Sequence, residues 1–186
     1  MRAVEEKVGD EELMMRFKNG DQTAFDVLFQ RYRLVLYRYF LRQCQQPALA
    51  EELYQDVWLK LINAKQRYQP KAQFNTYLFT IAHRRWLDYV RRNENKIVFI
   101  EDTGEKQEHI DSRPQPDAEL DQRQQKQRFL FALKQLPANQ REVFILREES
   151  GLSLETIAHI TQENVETVKS RLRYAVKKLK QVCIQE

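Results

Sequence analysis

Four glycines and five prolines in 186 residues leave this chain few places to turn sharply. A protein built from short strands needs turn residues about every 8–12 positions, so this scarcity argues against a sheet and for long helices. The apolar residues agree, recurring at three/four spacing over much of the chain. They make up 42%, enough for compact cores of modest size. A helical lobe of under ~100 residues leaves roughly a third or more of its surface unburied, so such lobes gain stability from partners.

The first ninety residues read as four helices. Asp10 is placed to cap a helix carrying Leu13, Met14 and Phe17, and Gly20 sits where a left-handed C-terminal residue is wanted. Asp21 caps the next helix, whose stripe runs through Phe25, Leu28, Phe29, Tyr32, Val35, Leu36 and Tyr39. After Pro47 a third helix sets Leu49, Leu53, Val57 and Leu61 in one row, with Glu51, Glu52, Gln55 and Asp56 on its other faces. A loop around Pro70 precedes a fourth helix from about 75 to 92, with Leu78, Ile81, Ala82 and Tyr89 inward. From about 93 to 116 the pattern stops and Gly104, Pro114 and Pro116 interrupt an acidic stretch, which is linker chemistry. Pattern resumes near Glu119 with Phe129, Leu130, Leu133 and Leu136. Pro137 then suits the first turn of a helix holding Val143, Phe144 and Leu146 that stops before Gly151. The expected fold is all-α: two small helical domains, over 10–93 and 119–183, joined by a flexible acidic linker over 94–118.

Charge is distributed to match. Residues 65–96 hold eight Lys/Arg against Asp88 and Glu94, and residues 165–180 hold six against Glu166 alone. Between them, residues 97–121 hold eight acids against Lys106 and Arg113. Two basic blocks around an acidic one imply two polyanion-facing surfaces rather than one. Solvated helix faces are the plainer alternative for either block alone.

The stretch 153–180 is the most specific. Ser153 caps a short helix with Leu154, Ile157 and Ala158 inward, Thr161 to Glu163 turn, and Asn164 caps a longer helix. The inward row of that helix is Val165, Val168, Leu172, Ala175 or Val176, and Leu179. Ala158 is small enough for two short helices to cross closely. This is the layout of a helix-turn-helix, whose second helix enters the major groove. Near its start Glu166, Thr167, Lys169, Ser170 and Arg173 face outward and mix base-reading with phosphate-binding groups. Lys177, Lys178 and Lys180, further along, suit backbone attraction.

Here the residues support a family resemblance. Glu166-Thr167-Val168-Lys169-Ser170-Arg171-Leu172 resembles the recognition-helix motif of extracytoplasmic-function sigma factors, the smallest group of the sigma-70 family. Leu136-Pro137 followed by Gln140-Arg141-Glu142-Val143-Phe144 resembles that family's approach to the motif. Gly20-Asp21, Ala24-Phe25, Leu28 and Arg31-Tyr32 resemble region 2.1, and Ala50-Glu51-Glu52-Leu53 with Gln55-Asp56-Val57-Trp58-Leu59 resemble region 2.2. Phe74-Asn75-Thr76-Tyr77-Leu78 with Ile81-Ala82, Asp88 and Arg91-Arg92 resemble regions 2.3 and 2.4.

The resemblance implies a promoter-binding subunit of RNA polymerase without catalysis of its own. It implies that Glu52, Gln55 and Asp56 dock on the clamp helices of the largest subunit, with the second lobe at the flap region. It assigns reading of duplex -35 DNA to Glu166, Thr167, Lys169, Ser170, Arg171, Arg173 and Lys177. It assigns opening and holding of the single-stranded -10 element to Tyr68, Phe74, Asn75, Tyr77, Arg84, Arg85, Arg91 and Arg92. Strand opening needs surfaces for unstacked bases, and an aromatic platform supplies about 1–3 kcal/mol per base; for Phe74 and Tyr77 a core role is the alternative, and for Tyr77 an equal one. An anti-sigma partner is implied too, with a cytoplasmic location or tethering to the inner membrane through that partner. The chain departs from the family at Arg84, where many relatives carry Asn, at Tyr77, a frequent Trp, and at Gln162, usually Gly. If the turn needs a positive φ there, Gln162 costs about 1 kcal/mol; otherwise Asn164 absorbs the bend. The acids Glu101, Asp102, Glu105, Asp111 and Asp117 either mimic nucleic acid in a polymerase channel or belong to an inert tether.

Other functions fit less of the chain. His83, His109 and His159 are scattered, and no phosphate-binding Gly-rich loop, nucleophile elbow or metal-ligand spacing occurs, so no catalytic residue, metal or cofactor is expected. Cys44 and Cys183 lie in no metal-binding pattern and read as reduced thiols. No stretch approaches 18 apolar residues, so no membrane insertion is expected. An operator-binding regulator would account for 152–180 but not for the aromatic and basic block at 68–92. A helical adaptor binding acidic proteins would not need selective DNA chemistry.

Overall fold

The computed structural model describes residues 8–97 and 117–184, and among them every regular element is helical. Helices α1 (Asp10–Lys18), α2 (Gln22–Cys44), α3 (Pro47–Ala64) and α4 (Phe74–Ile97) form a first lobe, with a 3-10 turn at Lys65–Arg67 after α3. Helices α5 (Asp117–Lys134), α6 (Ala138–Glu148), α7 (Leu154–Thr161) and α8 (Val165–Ile184) form a second. Residues 98–116 of the expected linker, including Glu101, Asp102, Glu105 and Asp111, lie outside the described residues.

Local chemistry sets several helix ends. Asp21 Oδ1 accepts from the N–H groups of Thr23 and Ala24 at 3.0 and 3.4 Å, and the Thr23 hydroxyl, donating to the same oxygen, leads the groups that hold the carboxyl below its ordinary pKa. Ser153 Oγ accepts from Thr156 N at 3.1 Å and Asn164 Oδ1 from Thr167 N at 2.7 Å, capping α7 and α8. Gly20, just past α1, has φ 106°, where a side chain is disfavoured. Two expected ends differ. Gly9, not Asp10, is the N-cap of α1; Asp10 is helical, and its carboxylate accepts from Arg31 and Tyr32 of α2, a stronger demand than one backbone N–H. Pro137 is the N-cap of α6 rather than its first residue.

Gln162 settles the question left by the turn: it adopts φ 57° and ψ 39°, left-handed, at the end of α7. An L side chain there costs about 1–2 kcal/mol, and glycine returns part of that through its looser unfolded chain. Gln162→Gly should raise stability by about 0.5–1 kcal/mol, read as a shifted urea midpoint at constant slope.

The first core gathers Leu13, Met14, Phe17, Leu28, Leu36, Phe40, Leu53, Val57, Leu61 and Leu78. A smaller one under α5 and α8 gathers Ala132, Leu133, Leu136, Ala175 and Leu179, so Ala175 rather than Val176 is the fully buried residue of its turn. The lobes do not stand apart in this structure. Val143, Ile145, Leu146, Ile157 and Ala158 belong to the same continuous cluster as the first lobe, because α6 lies on α2 and α7 on α4.

Candidate nucleic-acid interface

The helix-turn-helix places α8 with its N-terminal half outward. Glu166, Lys169, Arg173 and Lys177 are exposed, and Thr167 and Ser170 are half-buried beside them. Lys169 Nζ lies 3.7 Å from Glu166 across one turn of open surface, a pair worth little and easily exchanged for phosphate. Arg171 points elsewhere: its Nη2 donates to Glu163 Oε1 at 2.8 Å and pins the turn between α7 and α8. That ion pair makes Arg171 a brace of the motif in this structure. Lys178 is also spoken for, donating to Gln135 O at 2.8 Å beyond the end of α5. Tyr174, 53% exposed with the Arg173 guanidinium 5.2 Å from its ring centre, is an addition that spacing did not single out. Its signal was there, since it adjoins Arg173 on the outward face.

The second candidate surface is the exposed side of α4 and the loop before it. Arg84, Arg91 and Arg92 are exposed, while Asn75 and Tyr77 are half-buried. Asn75 borders a polar cleft of 560 Å³ with Asp10, Glu11, Tyr32, Lys71 and Gln73. Tyr77 and Arg84 border another of 370 Å³ with Arg67, Lys71 and His159.

Three residues expected at the -10 surface are placed otherwise. Phe74 is fully buried, its ring 5.3 Å from Tyr32 and its N–H donating to Glu11 Oε1 at 2.7 Å, so it anchors the start of α4. Tyr68 is 2% exposed, packs edge-on to Tyr77 at 5.1 Å, and has its hydroxyl pushed up to about 12, first by burial and then by Glu11. Neither ring can receive a base in this conformation, because the core already covers it. Arg85 is buried as well, with Nε donating to Asp56 Oδ2 at 2.6 Å and Nη2 to Glu52 Oε1 at 3.4 Å. It faces two of the expected docking carboxylates instead of DNA. Asp56 and Glu52 keep part of their surface open beyond that pair, and Leu59 beside them is 57% exposed. Gln55 donates to Glu51 Oε1 at 2.8 Å on the exposed face of the same helix.

Among the described residues no three His, Cys, Asp or Glu side chains gather as a metal site, and no helix is long and apolar enough to cross a membrane. Cys44 is a free thiol, half-buried, with burial raising its pKa.

Comparison with known proteins falls on these same two surfaces. Residues 28–96 match the family description "Sigma-70 region 2" and residues 126–179 match "Sigma-70, region 4". The chain is 28% identical over 171 residues to the RNA polymerase sigma factor CarQ of Myxococcus xanthus, covering 91% of this chain and 94% of that protein. It is 29% identical over 171 residues to an ECF RNA polymerase sigma factor, SigK of Mycobacterium sp. (strain KMS), covering 90% and 87%. The chain belongs to the extracytoplasmic-function group of the sigma-70 family. As a sigma factor it is a transcription-initiation protein, with the region 4 helix-turn-helix as its DNA-binding element. Its fold is shared with CnrH, solved with the cytosolic domain of CnrY, at TM-score 0.69 and 21% identity over 93% of this chain and 96% of that one. The sigma factor RpoE of Bartonella quintana, solved with the anti-sigma factor NepR, superposes at TM-score 0.64 and 25% identity, covering 86% and 98%.

Proposed function

We propose that this sigma factor directs core RNA polymerase to promoters by reading duplex -35 DNA with α8 and by opening and holding the -10 element against α4. The observation that carries the reading is a division of labour on α8: Glu166, Thr167, Lys169, Ser170 and Arg173 stay outward while Arg171 and Asn164 fix the helix from behind. Such a front suits the major groove, where donors and acceptors distinguish all four base pairs. On α4, Asn75 stands beside a polar cleft fit for an unstacked base, Tyr77 lies half-buried on the same helix, and Arg84, Arg91 and Arg92 follow the phosphates. Glu52, Gln55 and Asp56 form an acidic face with Leu59 for the clamp helices of the largest polymerase subunit, and the second lobe meets the flap region. The relative solved with NepR supports an anti-sigma partner for this chain; by this reading it acts in the cytoplasm or, through such a partner, at the inner membrane.

Protein added to sigma-free core enzyme should start transcripts at a subset of promoters sharing two sequence blocks. No transcripts from any genomic template would overturn the proposal. Within the holoenzyme, Lys177→Ala should weaken binding to all promoters alike and reduce the slope of log affinity against log salt by about 0.9. Lys169→Ala should instead lose about 1–3 kcal/mol of discrimination at one base pair of the -35 block. Competition binding against single-base promoter variants over a salt series separates the two.

A further inference from the structure

The junction between the lobes is built around one buried acid. Glu142 of α6 is 7% exposed, and its Oε1 accepts from the Tyr39 hydroxyl at 2.6 Å and lies 2.7 Å from His83 Nδ1. A carboxylate only accepts, so Nδ1 carries the proton that faces it. Tyr39 comes from α2 and His83 from α4, so a single side chain of the second lobe closes on two helices of the first. Outer contacts frame it: Arg42 Nε donates to Glu149 Oε1 at 3.0 Å, Gln45 Nε2 to Leu130 O at 3.0 Å, and Arg141 Nε to Gln43 Oε1 at 3.3 Å.

The closed arrangement conflicts with the work proposed above. His159 of α7 shares one cleft with Tyr77 and Arg84, so the helix-turn-helix covers part of the -10 face. Elements named for positions 35 and 10 lie on the order of 80 Å apart along B-form DNA at 3.4 Å per step. A compact body of 186 residues has a radius of gyration of about 16 Å, which sets its opposite faces only about 40 Å apart. Two lobes in contact cannot meet both elements.

We propose that the chain is autoinhibited, and that Glu142, with Tyr39 and His83, is the latch that core polymerase must open before the lobes can engage a promoter. The autoinhibition rests on the promoter-reading proposal; the latch itself does not. In the open state all three groups return to water, whereas loss of Glu142 leaves two buried donors unpaired only in the closed one. Glu142→Leu should therefore raise the open-to-closed ratio roughly ten- to a hundredfold.

The test uses the full chain, with Cys44→Ser and Cys183→Ser, and dyes on Gln22→Cys and Gln125→Cys to report lobe separation by single-molecule energy transfer. The parent should show one high-transfer state, shifted to low transfer by core enzyme. Glu142→Leu should populate low transfer unaided at unchanged helical content, and Tyr39→Phe, which removes only a hydroxyl from the opposite lobe, should do so more weakly. A parent already at low transfer, or transfer unchanged in both variants, overturns the latch. In a second arm a bifunctional thiol reagent joins Arg42→Cys to Glu149→Cys. The joined protein should lose at least tenfold in promoter-directed transcription relative to its unjoined form, and equal activity overturns autoinhibition. Inactivity of joined and unjoined forms alike, beside an intact transfer shift, would instead remove the promoter-reading proposal and the autoinhibition built on it, leaving the latch.

Discussion

Phe74→Ala is expected to cost about 3–5 kcal/mol of stability, the range for deleting a large buried ring, and thus a large part of the 5–15 kcal/mol typical of a domain. The ring is fully buried, with Tyr32 of α2 across from it. Removing it leaves a cavity at the first turn of α4, where Glu11 already holds the backbone N–H. Urea unfolding followed by circular dichroism should show the midpoint fall without a change of slope. Phe74→Leu, which refills most of the volume, should recover most of the stability and most of the transcription. Tyr77→Ala should behave in the opposite sense. Its ring is half-buried against Tyr68, so truncation should cost clearly less than at Phe74 while selectively slowing promoter opening, read by permanganate reactivity of unpaired thymines. Wild-type stability in Phe74→Ala together with failed opening would show that the ring works on DNA after all.

What could be read from the residues divides by distance along the chain. The caps Asp21, Ser153 and Asn164 act on N–H groups two or three positions away, so side-chain chemistry and spacing suffice to find them. Asp10 offers the same chemistry, yet its stronger partners Arg31 and Tyr32 lie over twenty residues on and claim it. The helical stripes were legible because burial follows a 3.6-residue period; they do not reveal which stripe meets which, so the packing of α6 and α7 on the first lobe was not. Tyr68, Phe74 and Tyr77 share a loop and an aromatic character, and only their packing separates two core rings from one at the surface. Glu142 did leave a trace: it falls one turn before the inward Leu146, at a position where an acid needs partners. Arg85 left none, since a basic residue within a basic block reads as a phosphate contact until α3 is seen beside it.

Arg85→Ala is accordingly expected to act on docking and stability rather than on DNA. The guanidinium is buried while Asp56 keeps about a third of its side chain open, at 10% and 38% exposure. Breaking a fully buried pair costs about 3–5 kcal/mol; with one partner partly hydrated, about 2 kcal/mol is expected. Asp56, released from its donor, also loses its fixed direction toward solvent, and affinity for core enzyme should fall on the order of tenfold, or 1.4 kcal/mol. Arg85→Lys should rescue little, because an ammonium cannot address Asp56 and Glu52 from one planar fork. A double-mutant cycle with Asp56→Ala separates the alternatives. If Arg85 orients the carboxylate, the two losses overlap and the double variant binds core enzyme about as well as either single one. If Arg85 serves DNA, the losses add, core affinity is untouched by Arg85→Ala, and the salt dependence of promoter binding falls instead, as it should for the exposed Arg84→Ala.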